Sequence, residues 1–148
     1  MNPITTTISE HPFVRTLSRE HLDILAQGAT ERVFKPGEML FRQGEPANRF
    51  YLLIDGKVSL ESHDPTGTDT LVQTIGGGEV VGWSWLFPPF VWHFQARALE
   101  RTTSIVLDGA LLLVAANKNN DFGFDLMSRV ARILISRLQS TRQGLVKR

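Results

Sequence analysis

The chain contains no cysteine. Disulfides, thiolate metal sites and cysteine nucleophiles are excluded together, and with them a disulfide-stapled secreted domain; a reducing cytoplasm suits this composition. Formal charge is absent from residues 80 to 96, although charged residues make up 21% of the 148 positions. This uncharged stretch falls short of the roughly 20 apolar residues that a membrane-spanning helix needs. Pro88 and Pro89 break its middle, and Ser84, His93 and Gln95 interrupt it, so it is not read as a membrane span. The four histidines, His11, His21, His63 and His93, are scattered without a metal-binding spacing, and no G-x-S-x-G, P-loop or G-x-G-x-x-G occurs. The opening "MNPITTTISEHPF" carries no basic leader with an apolar run and no lipidation pattern.

What is present suits one ordinary domain spanning residues 1–148, with hydrophobic residues at 42% to build a core. The net charge of +1 is unevenly spread: residues 1–124 hold ten basic and fourteen acidic side chains, and residues 125–148 hold six and one. A basic end of this kind is either a solvated arginine face or a contact for an anionic partner.

"SREHLDILAQGA" predicts a short helix, with Ser18 as cap, Glu20 in the first turn, Leu22, Leu25 and Ala26 at helical spacing, and Gly28 ending the run. From Glu31 the period changes. Short apolar runs at Val33–Phe34, Met39–Phe41, Tyr51–Ile54 and Val58–Leu60 alternate with the turn signals Pro36-Gly37, Gly44-Glu45-Pro46 and Asp55-Gly56. Further strands are predicted at residues 70–75, 95–99 and 103–107. Strands at such intervals mean a sandwich, jelly roll or barrel.

Two helices are predicted after the strands, a short one in "GALLLVAANKN" and a long one over about residues 122–143. On a helical wheel Leu126, Val130, Ile133, Leu134 and Leu138 cluster, and Met127, Ala131, Ile135 and Leu145 widen that side; Arg129, Arg132, Ser136, Gln139, Ser140 and Gln143 lie opposite. The apolar arc exceeds the ~100° stripe that one core contact needs. Either the same helix of a second subunit or the N-terminal helix takes the excess.

"FKPGEMLFRQGEPANRFYLLIDGKVSL" resembles the cyclic-nucleotide-binding domain of catabolite-activator-type bacterial regulators and of cyclic-nucleotide-gated kinases and channels. The resemblance covers about residues 10–143. It implies a mainly β fold, an eight-stranded jelly roll (double-stranded β-helix) over about residues 30–108, with a short N-terminal and a long C-terminal helix. Gly37, Gly44 and Gly56 stand where the family makes its turns. In the family, a Gly-Glu-Leu-Ala-type helix start and a Pro-Arg pair about ten residues later hold the ligand. Amides and arginine receive the cyclic phosphate, and glutamate takes the ribose hydroxyl.

Aligned on "GGGEVVGWSWLF", the ligand segment places Gly82 at the motif glycine, Trp83 at the glutamate, Ser84 and Trp85 next, Val91 and Trp92 at the Pro-Arg pair, and His93 after them. The usual Glu and Arg contacts are missing, and Arg97 falls five residues late. These seven residues form the candidate cradle. The alternation of Trp83, Trp85 and Phe87, then of Phe90, Trp92 and Phe94, suggests extended segments with one aromatic face. The indoles either fill the nucleotide's cavity or stack on a planar ligand.

The expected function is a non-enzymatic, cytoplasmic regulatory module for signal transduction, resembling the sensor part of a transcription regulator. Its expected partners are a second copy of the chain through Leu126, Val130, Ile133, Leu134 and Leu138, together with a small-molecule ligand or a regulatory protein. No certain cofactor is implied, because a cyclic nucleotide would lack its usual contacts. The family's helix-turn-helix would follow the long helix, and the sequence ends there at Arg148, so no sequence-specific nucleic-acid contact is expected of this chain; Arg129, Arg132, Arg137, Arg142, Lys147 and Arg148 offer non-specific ones at most. Two alternatives stay open: nucleotide binding through backbone amides and aromatic stacking, and a metal-dependent jelly-roll enzyme.

Overall fold

A computed structural model describes residues 3–146, with side chains described for residues 3–142. The readings placed on Gln143, Leu145, Lys147 and Arg148 lie outside the described side chains. Two compact units divide after Leu113.

The first unit opens with helix α1 (Pro3–Glu10), a 3-10 turn (Pro12–Val14) and helix α2 (Arg19–Ala26). In α2, the Ser18 hydroxyl accepts from His21 N–H at 3.2 Å, the cap expected of it. Helix α1 has no counterpart in the sequence reading. Its run of threonines is a weak helix former, and the burial of Thr5 and Ile8 holds it instead.

Eight strands follow: β1 (Thr30–Phe34), β2 (Met39–Phe41), β3 (Arg49–Asp55), β4 (Lys57–His63), β5 (Asp69–Gly76), β6 (Val80–Val81), β7 (Gln95–Ala98) and β8 (Thr102–Asp108). They form two four-stranded antiparallel sheets, ordered β1-β8-β3-β6 and β2-β7-β4-β5. This is the eight-stranded jelly roll. The turn glycines Gly37, Gly44 and Gly56 have φ of 87°, 88° and 102°, a region that suits glycine and strains other residues.

Strand β3 is buried on both faces, which is why "FYLLI" reads as a continuous apolar run rather than an alternation. Tyr51 packs on Phe41 of the facing sheet at 5.8 Å and sends its hydroxyl to Leu40 O at 3.0 Å. Phe50, on the opposite face of the strand, meets Phe13 edge-on at 5.2 Å. The roll interior and the N-terminal cap therefore share one strand.

Helix α3 (Gly109–Lys118) crosses the division between the units, and helix α4 (Asn120–Val146) makes up most of the second. The apolar side of α4 resolves into two stripes. Phe122, Leu126 and Val130 are buried, whereas Phe124, Met127, Ile135 and Leu138 are 76%, 43%, 57% and 70% exposed, with Ala131 exposed among them. Ile133 and Leu134 are half-buried. The wide arc expected as one surface is thus two narrower ones, each about 80° wide at 100° per residue.

Candidate functional site

The uncharged segment leaves β6, which pairs Val81 with Tyr51 and Val80 with Leu52, and turns at Gly82 with φ of 89°. A 3-10 turn then covers Ser84–Leu86, and Leu86 N–H donates to Trp83 O at 3.0 Å. The expected extended strand with one aromatic face is not formed. Within a 3-10 turn alternate residues do not share a face, so Trp85 is 2% exposed, while Trp83 and Phe87 are only half-buried.

A turn at Phe87–Phe90 follows, closed by Phe90 N–H to Phe87 O at 2.9 Å, with Pro88–Pro89 cis and Phe90 at φ of 57°. The returning limb is laced to the loop after β2. Ala47 N–H donates to Phe90 O at 2.8 Å, Trp92 N–H to Glu45 O at 3.0 Å, Gly44 N–H to Trp92 O at 2.8 Å, and Val91 bridges Pro46. This ladder fixes Trp92 facing inward. Phe90 and Phe94 stay 38% and 37% exposed, so this limb too lacks a single aromatic face.

The tryptophans go to different places. Trp92, at 4% exposure, lies on Phe41 with ring centroids 3.8 Å apart and planes at 17°. A Cβ added at Gly82 would stand 3.0 Å from Trp92 Cη2 and 3.3 Å from Phe41 Cε2. The motif glycine is therefore roofed by the indole that occupies the expected arginine position. Trp85 packs instead on Phe50 at 5.5 Å and against Gly109, on the other face of β3 from Tyr51. Its buried Nε1 has no hydrogen-bond partner among the described residues. Of the seven candidate cradle residues, Gly82 and Trp92 are in van der Waals contact. Ser84 Oγ and His93 Nδ1 meet at 3.4 Å across the two limbs, with Ser84 half-buried and His93 exposed.

No residue from 80 to 96 carries a formal charge of its own. Arg97 is committed elsewhere: its guanidinium reaches Glu61 at 3.3 Å and Asp69 at 3.5 Å on the sheet β2-β7-β4-β5. Burial alone would raise the Glu61 carboxyl, but hydrogen bonds from Ser59, Gln95 and Arg97 outweigh it and hold the group below its ordinary 4.5. Glu79 contributes its backbone carbonyl, which accepts from Leu53 N–H at 2.9 Å. Among the described residues, no three His, Cys, Asp or Glu side chains gather where they could hold a metal ion. No helix among them is long and apolar enough to cross a membrane.

Sequence reasoning passed over His11, which is 3% exposed and bonds to β3 and to the β5–β6 turn. The local signal was "HPF", a capping residue with proline at the first helical position.

The family model of the cyclic nucleotide-binding domain matches residues 31–119, more than half of the chain. This chain belongs to that family. Among curated proteins, this cyclic nucleotide-binding domain is 26% identical over 113 residues to the CRP-like cAMP-activated global transcriptional regulator of Mycobacterium tuberculosis. The match takes in 76% of this chain and 48% of that protein, so the domain spans about half the length of the curated relatives it matches. Among solved structures, a protein of Geobacter metallireducens described as cyclic-nucleotide-binding superposes with a TM-score of 0.83 at 26% identity, covering 93% of this chain and 99% of that one. The N-terminal domain of a transcriptional regulator from Streptomyces coelicolor superposes with a TM-score of 0.67, also at 26% identity, covering 88% and 93%.

Proposed function

We propose that this cyclic nucleotide-binding domain is a non-enzymatic, cytoplasmic sensory module, a single domain over residues 1–148, in which an indole takes the ligand's place. The Trp92–Phe41 stack over Gly82 carries this reading. With Trp83 and Trp92 at the positions of the family's glutamate and arginine, those two positions supply neither a carboxylate for a ribose nor a cation for a cyclic phosphate. Leaving a buried anion unpaired costs several kcal/mol. The module therefore does not hold cAMP or cGMP in the family's usual way. The curated Mycobacterium tuberculosis relative and the Streptomyces coelicolor neighbour are transcriptional regulators, and the module answers to another ligand or to a regulatory protein partner.

A second copy of the chain is the natural cover for the exposed stripe of α4. Phe124, Met127, Ala131, Ile135 and Leu138 recur at three- and four-residue steps, the spacing of a helix–helix seam. Leu126 and Val130, by contrast, are already buried within the chain.

The Ser84–His93 pair favours a second reading. Both polar groups stand at the mouth of the segment, where they and the amides of Gly82–Ser84 could receive an anion. Calorimetry with cAMP and with cGMP separates the two. The first reading expects no binding at micromolar concentrations; micromolar or tighter binding, abolished by Ser84→Ala or His93→Ala, would establish the second.

A further inference from the structure

His11 sits where three pieces of the first unit meet. Phe13 N–H donates to its Nδ1 at 3.1 Å, so Nδ1 carries no proton and the neutral ring holds its hydrogen on Nε2. Nε2–H in turn points at two carbonyl oxygens, Leu53 O at 3.0 Å and Glu79 O at 3.2 Å. Those carbonyls are the junction of β3 with the turn that feeds the uncharged segment. Leu53 N–H donates to Glu79 O, and Gly78 N–H donates to Leu53 O at 2.8 Å. The turn lies so close to β3 that a Cβ at Gly77 would stand 2.7 Å from Ile54 O.

The same histidine caps the 3-10 turn Pro12–Val14 and so sets Phe13 against Phe50, which packs on Trp85. An unbroken line of contacts runs from His11 through Phe13 and Phe50 to the 3-10 turn of the site. We propose that His11 is a proton-operated latch, closed when the imidazole is neutral and released when it is protonated, that couples the N-terminal segment to the position of Trp85.

The chemistry of release is local. A proton can add only at Nδ1, and the new N–H then faces the Phe13 N–H, turning an acceptor contact into a clash of two donors. Burial disfavours the cation most strongly and lowers the group from its ordinary 6.5; the Leu53 and Glu79 carbonyls pull the other way without prevailing. From β3 and from the Gly76–Glu79 turn the Leu53 and Glu79 carbonyls act on the ring, and Arg15, the residue that ends the 3-10 turn, also disfavours the cation. Glu79 acts on it through its backbone rather than its carboxylate. Because the folded-state value is depressed, the latch is fully closed above about pH 6.5 and opens as the pH falls through the lower folded-state value.

Nuclear magnetic resonance on the whole chain between about pH 8 and about pH 5 tests this. The His11 imidazole is expected to titrate below 6.5. With the same midpoint the Trp85 indole resonance should move, and the amides of residues 13–17 should lose protection several-fold more than those of residues 104–107 in β8. His11→Asn keeps an acceptor for the Phe13 amide but cannot titrate, so its protection should be independent of pH. The latch is overturned by a His11 midpoint at or above 6.5, by wild-type amides or a Trp85 resonance that ignore the titration, or by wild-type pH dependence in His11→Asn. Should that variant not fold, the wild-type titration decides alone.

Discussion

The indole of Trp92 and the ring of Phe41 are stacked 3.8 Å apart, and the added Cβ that would test the space above Gly82 meets both. The stack joins the returning limb of the uncharged segment to strand β2 and continues to Tyr51 and Phe34 at 5.8 Å and 6.1 Å. Trp92, Phe41, Tyr51 and Phe34 thus form one continuous run of ring contacts between the two sheets. Trp92→Ala removes the outermost ring and is expected to lower stability by about 3–5 kcal/mol, read as the midpoint of urea unfolding. The hollow it leaves is apolar and flat-walled, so free indole should bind and recover part of the loss.

Gly82 lies at φ of 89° with Trp92 Cη2 only 3.0 Å from where a side chain would begin. Gly82→Ala is expected to cost about 1–3 kcal/mol from backbone conformation and overpacking together. In a double-mutant cycle, Trp92→Phe should relieve the overpacking part and leave the backbone part. Strict additivity in unfolding measurements would mean that the two residues do not share this space.

In the same sheet as Phe41, Glu61 of β4 is 9% exposed and accepts from Ser59, Gln95 and Arg97. With its folded-state value below the ordinary 4.5, its contribution to stability is present above that pH and is lost as pH falls through the depressed value. Glu61→Gln is expected to destabilise by about 1–3 kcal/mol at neutral pH and to flatten the acid limb of the stability profile. Chemical unfolding from neutral pH to about pH 3 reads both effects.

Much of the roll was legible because its punctuation is chemical. Pro36-Gly37, Gly44-Glu45-Pro46 and Asp55-Gly56 mark turns that only positive φ completes, and the runs between them have strand length. Helix α1 was not legible, since Thr5–Thr7 favour no helix locally and burial decides. The site was legible in register but not in direction. Trp83-Ser84-Trp85 alternates as a strand would, yet backbone hydrogen bonds from Leu86 and Phe87 wind it into a 3-10 turn that sends Trp85 to Phe50, apart from Trp92 on Phe41. His11 escaped notice because its three partners lie in the chain at Phe13, Leu53 and Glu79, and two of those are long-range carbonyls that no local pattern announces.

The exposed stripe of α4 bears on assembly. Leu138 is 70% exposed and Ile135 57%. If a second copy covers this stripe, Ile135→Glu with Leu138→Glu should shift sedimentation equilibrium toward the monomer by at least about tenfold in dissociation constant, because each buried leucine-sized side chain contributes about 1.5–3 kcal/mol. The substituted positions are exposed in the single chain, so the fold itself should be unaffected within about 0.5 kcal/mol.

The central claim is that Trp92 occupies the ligand's place and stays there. The most direct measurement follows the three indole N–H resonances, assigned through single Trp→Phe variants, while cAMP and then cGMP are added to millimolar concentration. The Trp92 resonance is expected to hold its position with both nucleotides. A saturable shift of the Trp92 resonance, with Trp85 unmoved, would show the indole giving way to a nucleotide and would contradict the account.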